Sequence, residues 1–355
     1  MSKIALITDI HFGCRGASTY FIERYELFFD NIFFPYLIKN KINTVYILGD
    51  TWEDRKNLNV NALAAARRMF FDRLAVRHIK VIAILGNHDV FYRNTNEVNS
   101  MDIIESSYDN IYVVEEYEEF KVGQKSFGMM SWVNNSNLER NLARIEAANT
   151  NYLLGHFEIK NFEMTKGNVA DKGFEPSIFS KYDLVLSGHF HIKNKIGNIL
   201  YIGNPFQTNW DDFSSDRGFH VYDSDTDEFT FIKNTYETYD VIAYTDEFDL
   251  DTFDFDACKG KIVKVLVTKI SEIDQLKYNK FLDVLLKQVH EYSIVEVVDS
   301  SELQGKSNNL TIKSSKEMIN EYINGLTVED DVKKDVISIL HDLHNVVLSL
   351  KMTEN

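Results

Sequence analysis

The stretch that decides the fold is KIALITDIHF, residues 3–12, in which the apolar run Ile4 to Ile7 ends on Asp9-Ile10-His11. A short apolar run rich in β-branched residues reads as a buried strand, and a polar group directly after it sits where strand becomes loop. The arrangement recurs four times. Val45 to Leu48 leads to Gly49-Asp50, and Val81 to Leu85 to Gly86-Asn87-His88-Asp89. Tyr152 to Leu154 leads to Gly155-His156, and Leu184 to Leu186 to Gly188-His189-Phe190-His191. In open α/β sheets, ligands bind in the crevice outside the carboxyl ends of the strands. One Gly-His or Gly-Asp at a strand end is ordinarily a turn. Five blocks of Asp, Asn and His, in this order and each at a strand end, make a site.

These residue types fit phosphodiester hydrolysis, which needs charge neutralisation, an activated water and in-line geometry; a pair of divalent ions supplies all three. The ligand set should mix carboxylates with imidazoles. Asp9, His11 and His191 would hold one ion, Asn87, His156 and His189 the other, and Asp50 would bridge them. Mixed oxygen and nitrogen ligation suits Mn²⁺ or Fe, and is less natural for Mg²⁺. His88 would serve the substrate, donating a proton or hydrogen bond to the phosphate or leaving oxygen. Asp89 would orient His88 through the other ring nitrogen. Gly49, Gly86, Gly155 and Gly188 would let the backbone turn tightly. His78, His220, His290 and His341 show no partner pattern and read as structural or exposed.

Residues 1 to about 235 alternate strand and helix. Helices are expected over Tyr20 to Lys39, Ala62 to His78, Met101 to Ser106 and Leu138 to Ala148, with Pro35 kinking or dividing the first. Asn198 to Ile202, Gly218 to Asp223 and Glu228 to Lys233 read as short antiparallel strands. The expected class is α/β, an α+β sandwich: two mixed β-sheets packed face to face and flanked by helices. A small β-α-β unit over 236–300 is expected to pack on it, with a strand from Lys261 to Ile270, a helix from Asp274 to Tyr292 and a strand from Ile294 to Val298. A polar linker follows over 301–315. Two helices close the chain over 316–355, Lys316 to Asn324 and a second capped by Thr327 with a continuous apolar stripe from Val332 to Leu350.

Composition narrows the function. Of 355 residues, 44% are hydrophobic and 13% aromatic, enough for a packed interior and too long for one typical core. The absence of a long apolar stretch or a basic-then-apolar leader points to a cytoplasmic protein without a membrane partner. Cys14 and Cys258 form no CxxC pair, which excludes a thiolate zinc site and leaves two reduced thiols. The net charge of −16 is unfavourable for gripping DNA through the whole surface, so cations must be local or supplied by a partner. Arg55, Lys56, Arg93 and Asn94 follow ligand blocks on loops and are placed for phosphate contact. Arg67, Arg68, Arg73, Arg77 and Lys80 offer a second basic face along one helix, or an ordinary solvated one. Phe21, Phe28, Phe29, Phe33 and Phe34 read as core, with a homodimer face as the alternative.

The five blocks resemble those of the calcineurin-like metallophosphoesterase superfamily. Within it, Gly86-Asn87-His88-Asp89, the block spacing and the appended small domain resemble the DNA repair nuclease family that includes SbcD-type subunits and the recombination endonuclease subunits of T-even-like phages. The match in order and residue type spans about residues 1–235; beyond that it is one of architecture. The resemblance implies a manganese-dependent DNA exonuclease and endonuclease working in an ATP-driven recombination and double-strand-break repair complex. Residues 1–235 would be the nuclease domain and 236–300 a capping or DNA-binding domain. The helices of 316–355 would dock on the coiled coil of an SbcC-type P-loop ATPase, and the subunit would dimerise. A phage origin would place it in the host cytoplasm. One departure stands out: many cellular members carry His three residues after the bridging Asp, where this chain has Glu53, a change expected to leave the metal ligands unaffected. The alternative is a phosphatase or small-nucleotide phosphodiesterase on the same fold, against which stand Asp89, where protein phosphatases carry Glu, and the appended units. A non-catalytic scaffold that only binds the ATPase is disfavoured because every ligand and His88 are present.

Overall fold

The computed structural model describes residues 2–245, 247–268 and 274–297. The expected linker over 301–315 and the helices over 316–355 lie outside the described residues. In chain order the strands are β1 (Lys3–Ile7), β2 (Thr44–Leu48), β3 (Lys80–Ile84), β4 (Ile111–Val114), β5 (Tyr117–Val122), β6 (Lys125–Met130) and β7 (Tyr152–Gly155). Then come the short hairpin β8 (Glu163–Thr165) and β9 (Asn168–Val169), then β10 (Leu184–Ser187), β11 (Asn194–Ile196), β12 (Ile199–Tyr201), β13 (Gly218–Asp223) and β14 (Glu228–Lys233).

Two six-stranded sheets form, in the orders β14-β13-β1-β2-β3-β4 and β11-β12-β10-β7-β6-β5. In the first, β1 to β4 run parallel and β13 closes on β1 antiparallel. In the second, β12, β10, β7 and β6 are parallel, with β11 and β5 antiparallel at the edges. Both sheets are mixed, as expected. Alternation places Ile4, Leu6, Tyr46, Leu48, Ile82 and Ile84 against Phe127, Met129, Leu154 and Leu186 of the other sheet. Ala5, Ile7, Val45, Ile47, Val81 and Ala83 face the helices instead. Burial on both faces is why these strands read as continuous apolar runs.

The first long helix is neither divided nor ended by Pro35. Residues Thr19–Lys39 stay helical, with one widened turn at Phe29–Phe33 closed by the Phe34 N–H bonding to the Phe29 carbonyl. Placing a wide turn just before a residue that has no N–H lets the helix run on. A matching wide turn at Arg67–Phe71 interrupts the helix Val60–Val76, whose start is capped by the Asn59 side chain on the Asn61 and Ala62 N–H groups. Phe21, Phe28, Phe29, Phe33 and Phe34 are all buried, so none is free to form a dimer face. Phe12 stacks among Tyr25, Phe29, Trp52, Phe70 and Phe71, an aromatic floor beneath the loop that carries His11.

Four strands of the sandwich, β4 to β6 and β11, have no counterpart in the sequence reading. The last unit also differs from expectation. It holds three parallel strands, not two: β15 (Tyr239–Tyr244), β16 (Ile262–Thr268) and β17 (Glu291–Val297), with the helix Gln275–Gln288 between the last two. The Asp274 side chain caps that helix on Leu276 and Lys277. The helix stops before Tyr292 because the His290 N–H bonds to the Lys261 carbonyl, which begins the pairing of β17 with β16. Val263, Val265, Val267, Tyr278, Phe281 and Leu285 form its own core. His290 stacks on Tyr20, with ring centroids 3.8 Å apart, which ties the unit to the sandwich. Both cysteines are free and buried. No helix among the described residues is long and apolar enough to cross a membrane.

Candidate metal centre

Five loops leave the carboxyl ends of β1, β2, β3, β7 and β10, and they meet. The first two continue side by side after their strands end: the Asp9 N–H bonds to the Gly49 carbonyl at 3.0 Å, His11 to Asp50 at 3.1 Å and Phe12 to Thr51 at 2.9 Å. That pairing is held by left-handed backbone at residues that are not glycine, with φ of 49° at Asp9, 51° at His11 and 49° at Asp50. His189 is left-handed too. Such conformations cost on the order of 1–3 kcal/mol each and persist where surrounding structure enforces them. Of the four block glycines only Gly49 has positive φ, at 88°. Gly86 serves close approach instead: a Cβ there would lie 2.2 Å from Asp50 Oδ1.

The convergence is tight. Asp9, His11 and His191 each offer one ligand atom within 4.8 Å of the others, and so do Asp50, His156 and His189. The two groups adjoin, with His11 Nε2 3.1 Å from His191 Nε2 and 3.8 Å from Asp50 Oδ2. Asn87 Oδ1 lies 3.1 Å from His156 Nε2, which is itself 3.2 Å from Asp50 Oδ2. Asp9 accepts the His189 N–H at 3.1 Å, and Asp50 accepts the His88 N–H at 2.7 Å. Each carboxylate is thus pinned by a backbone amide from another loop, in Asp9's case from the other sheet.

Two of the imidazoles are oriented by a group behind the ring. His156 Nδ1 donates to the Leu48 carbonyl at 2.9 Å, so Nε2 is the atom that faces Asp50 and Asn87; burial opposes charge on the ring, but Asp50 raises it to about 9. His11 Nδ1 lies 3.0 Å from Glu53 Oε2, which leaves its Nε2 facing the cluster. A carboxylate or carbonyl behind the ring is the usual device for fixing tautomer and raising ligand basicity. Burial, then the charge of His156, pushes His189 down to about 3, keeping it neutral. His191 is lowered by burial and by His11. Burial opposes charge on Asp50, yet the charges of His156 and His88 hold it well below the usual carboxylate range. Two carboxylates, one amide oxygen and four imidazoles on buried, pre-set loops fit divalent metal ions.

Two expectations need correction. Glu53 does bear on the candidate ligands, because its carboxylate stands against the His11 ring and its carbonyl oxygen meets His88 Nδ1. Asp89 does not orient His88. Its oxygens accept the Thr51 N–H at 2.9 Å, the Trp52 N–H at 3.2 Å and the Gly86 N–H at 2.9 Å, clamping the second loop to the third. Burial, followed by the charge of Asp50, lifts Asp89 to about 7. Three residues missed in the sequence hold His191: Arg217 bonds to its carbonyl and to Asn204, Asn204 lies 3.4 Å from its ring, and buried Asp212 pairs with Arg217 at 2.9 Å.

The basic helix face is not free. Arg68 and Arg73 form ion pairs with Glu26 and Asp30 of the neighbouring helix, Arg67 bonds to Tyr108, and Arg77 bonds to the Arg73 carbonyl. It reads as a packed, solvated helix face.

Two face-to-face mixed sheets with Asp, Asn and His ligands gathered at the strand ends define a metallophosphoesterase, a metal-dependent hydrolase of phosphate esters. The chain belongs to the calcineurin-like phosphoesterase family, whose model matches residues 2–193. It is similar to exonuclease subunit 1 of Enterobacteria phage T4, 27% identical over 343 residues that span 96% of this chain and 98% of that protein. Among solved structures, an archaeal phosphodiesterase matches at a TM-score of 0.34 and 11% identity, over 65% of this chain and 99% of that one. The nuclease MPE of Pseudomonas putida matches at a TM-score of 0.29 and 17% identity, over 65% and 87%. The superfamily resemblance drawn from the five blocks is borne out.

Proposed function

We propose that this chain is the nuclease subunit of an ATP-driven DNA recombination and double-strand-break repair complex. It hydrolyses phosphodiester bonds as exonuclease and endonuclease with two divalent ions, Mn²⁺ preferred over Mg²⁺ or Fe. The observation that carries the reading is the convergence of two three-residue ligand groups, Asp9-His11-His191 and Asp50-His156-His189, at one set of strand ends. The near full-length similarity to a phage exonuclease subunit supports DNA as the substrate. Asp50 Oδ2 lies 3.8 Å from His11 Nε2 and 3.2 Å from His156 Nε2, so it would serve both ions, and Asn87 would complete the second group.

A bound ion pair supplies charge neutralisation and an activated water at the phosphate. The protein's own residues do the rest. Asp9 and Asp50, pinned by the His189 and His88 amides, hold the donor geometry without reorganising. His88 stands partly exposed at the edge of the cluster, its ring edge-on to His11 with centroids 5.0 Å apart. With Nδ1 engaged by the Glu53 carbonyl, its Nε2 holds or moves a proton at the leaving oxygen. The domain division is proposed at 235, with 236–300 capping the nuclease domain. The net charge of −16 makes weak DNA binding by the free subunit the expectation, with an SbcC-type P-loop ATPase and a second copy of the chain supplying the grip in the cytoplasm, that of the host if the chain is phage-encoded.

The test is cleavage of linear duplex and single-stranded DNA in Mn²⁺ by wild type and His88→Ala, alone and with the partner ATPase. Loss of cleavage in the variant with metal content retained supports the reading. Turnover of a small phosphate ester with no DNA cleavage under any condition would favour a phosphatase or small-nucleotide phosphodiesterase.

A further inference from the structure

Among the described residues, nine of the eleven arginines have a hydrogen-bond or ion-pair acceptor. Arg68, Arg73, Arg140, Arg144 and Arg217 sit on carboxylates. Arg15 and Arg24 reach backbone carbonyls of Thr208 and Glu237, Arg67 reaches Tyr108, and Arg77 reaches a helix carbonyl. Arg55 and Arg93 are the exceptions, and both lie on the loops that leave the metal centre: Arg55 two residues after Glu53, Arg93 four residues after Asp89.

Arg55 is half-buried, with its guanidinium carbon 5.3 Å from the centre of the Trp132 ring. Its Nη1 is buried and meets no acceptor. The loop that carries Arg93 reaches the same tryptophan, where the Asn96 side chain donates to the Trp132 carbonyl at 3.0 Å; burial and then the charge of Arg93 lower the Arg55 pKa. Neither guanidinium has an ion-pair partner among the described residues, and the buried donor left unmet on Arg55 is unfavourable unless an acceptor joins it. Planar guanidinium forks match phosphate oxygens in pairs. The loop that carries Arg93 also exposes the rings of Phe91 and Tyr92, 38% and 49% accessible, and exposed rings are what unstacked bases stack on.

We propose that Arg55 and Arg93 clamp the backbone phosphate next to the one being cleaved, so that the site prefers a polynucleotide strand to an isolated phosphate ester. This rests on the nuclease reading above and adds to it a second phosphate subsite. The clamp compensates locally for a surface whose net charge is −16.

The test uses the full chain with Arg55→Gln, Arg93→Gln and Arg55→Lys. Anisotropy of a labelled single-stranded oligonucleotide in EDTA reads binding without metal. Initial rates in Mn²⁺ on that oligonucleotide and on bis(p-nitrophenyl) phosphate read the substrate split. Each Gln variant is expected to weaken oligonucleotide binding about tenfold and to flatten its salt dependence by about one counterion. The loss in kcat/KM should be about tenfold greater on the oligonucleotide than on the small diester, with Arg55→Lys closer to wild type in salt slope. Arg93 is exposed, so its variant tests the idea free of any folding loss at Arg55. Equal losses on both substrates, or unchanged binding and salt slope, would overturn the clamp while DNA cleavage by wild type left the nuclease reading standing. Absence of DNA cleavage by wild type would overturn both.

Discussion

The parallel strands of the sandwich and those of the small unit at 239–297 obey the same pairing rules, yet their ends differ. After β1, β2 and β10 stand four non-glycine residues with left-handed backbone, Asp9, His11, Asp50 and His189. Asp9, His11, Asp50, Asn87, Asp89 and His156 are buried there as well. From residue 239 onward, the described residues include no non-glycine with positive φ and no buried charged, amide or imidazole side chain. Strain and buried polarity are therefore not by-products of parallel sheets in this protein. They gather at the strand ends where the cluster forms and recur in other parts of the sandwich, whereas the described part of the small unit is built by ordinary apolar packing.

That contrast can be broken by mutation. The largest effect should come from His88→Ala, which is expected to slow DNA cleavage in Mn²⁺ by about 10²–10⁴-fold with metal content retained. Comparable cleavage by the variant would remove His88 from the chemistry. Phe281→Ala, fully buried in the small unit's core, should cost about 3–5 kcal/mol in a denaturant melt of that unit and leave Mn²⁺ affinity near the wild-type value. A matching loss of metal affinity would show that the two regions are not energetically distinct. Glu53→Gln should lower Mn²⁺ affinity by about 10–100-fold in calorimetry, since a weaker acceptor then stands behind His11 Nδ1. Unchanged affinity would reduce the Glu53–His11 contact to packing.

The smallest effect tests whether buried polarity alone marks function. His220 lies buried within β13, away from the strand ends, with Nδ1 unpaired. Burial, with the charge of Lys193 adding, pushes its pKa down to about 3 from 6.5. A base lowered on folding contributes stability that is full above pH 6.5 and is lost as pH falls toward 3, with a slope approaching about 1.4 kcal/mol per pH unit. His220→Leu should flatten the pH dependence of the melting midpoint between pH 6.5 and 4, with phosphoesterase activity kept. An unaltered profile would place the acid sensitivity elsewhere.

How much of this was legible follows from distance along the chain. The convergence of these side chains could be read because each falls within a few residues of a buried apolar run, so a local pattern encodes a three-dimensional cluster. The sandwich class was legible for the same reason. Strands β5 and β6 were not, because an edge strand such as Tyr117–Val122 mixes Glu and Lys with aromatics and carries no continuous apolar signal. The third strand of the small unit, Tyr239–Tyr244, lay just past the expected domain division and has a similarly broken pattern. The role of Asp89 depends on amides of Thr51 and Trp52, far back in the chain, so neighbouring His88 was the wrong partner to infer. The pairing of Arg68 and Arg73 with Glu26 and Asp30 likewise depends on two helices lying side by side.

The most direct test of the account is the number of Mn²⁺ ions bound per chain, measured by calorimetric titration of metal-stripped protein with metal analysis of the saturated sample. The account predicts two for wild type and one for His156→Ala, which loses a donor from the Asp50 group and leaves the Asp9 group intact. A wild-type chain that binds one ion or none would contradict it.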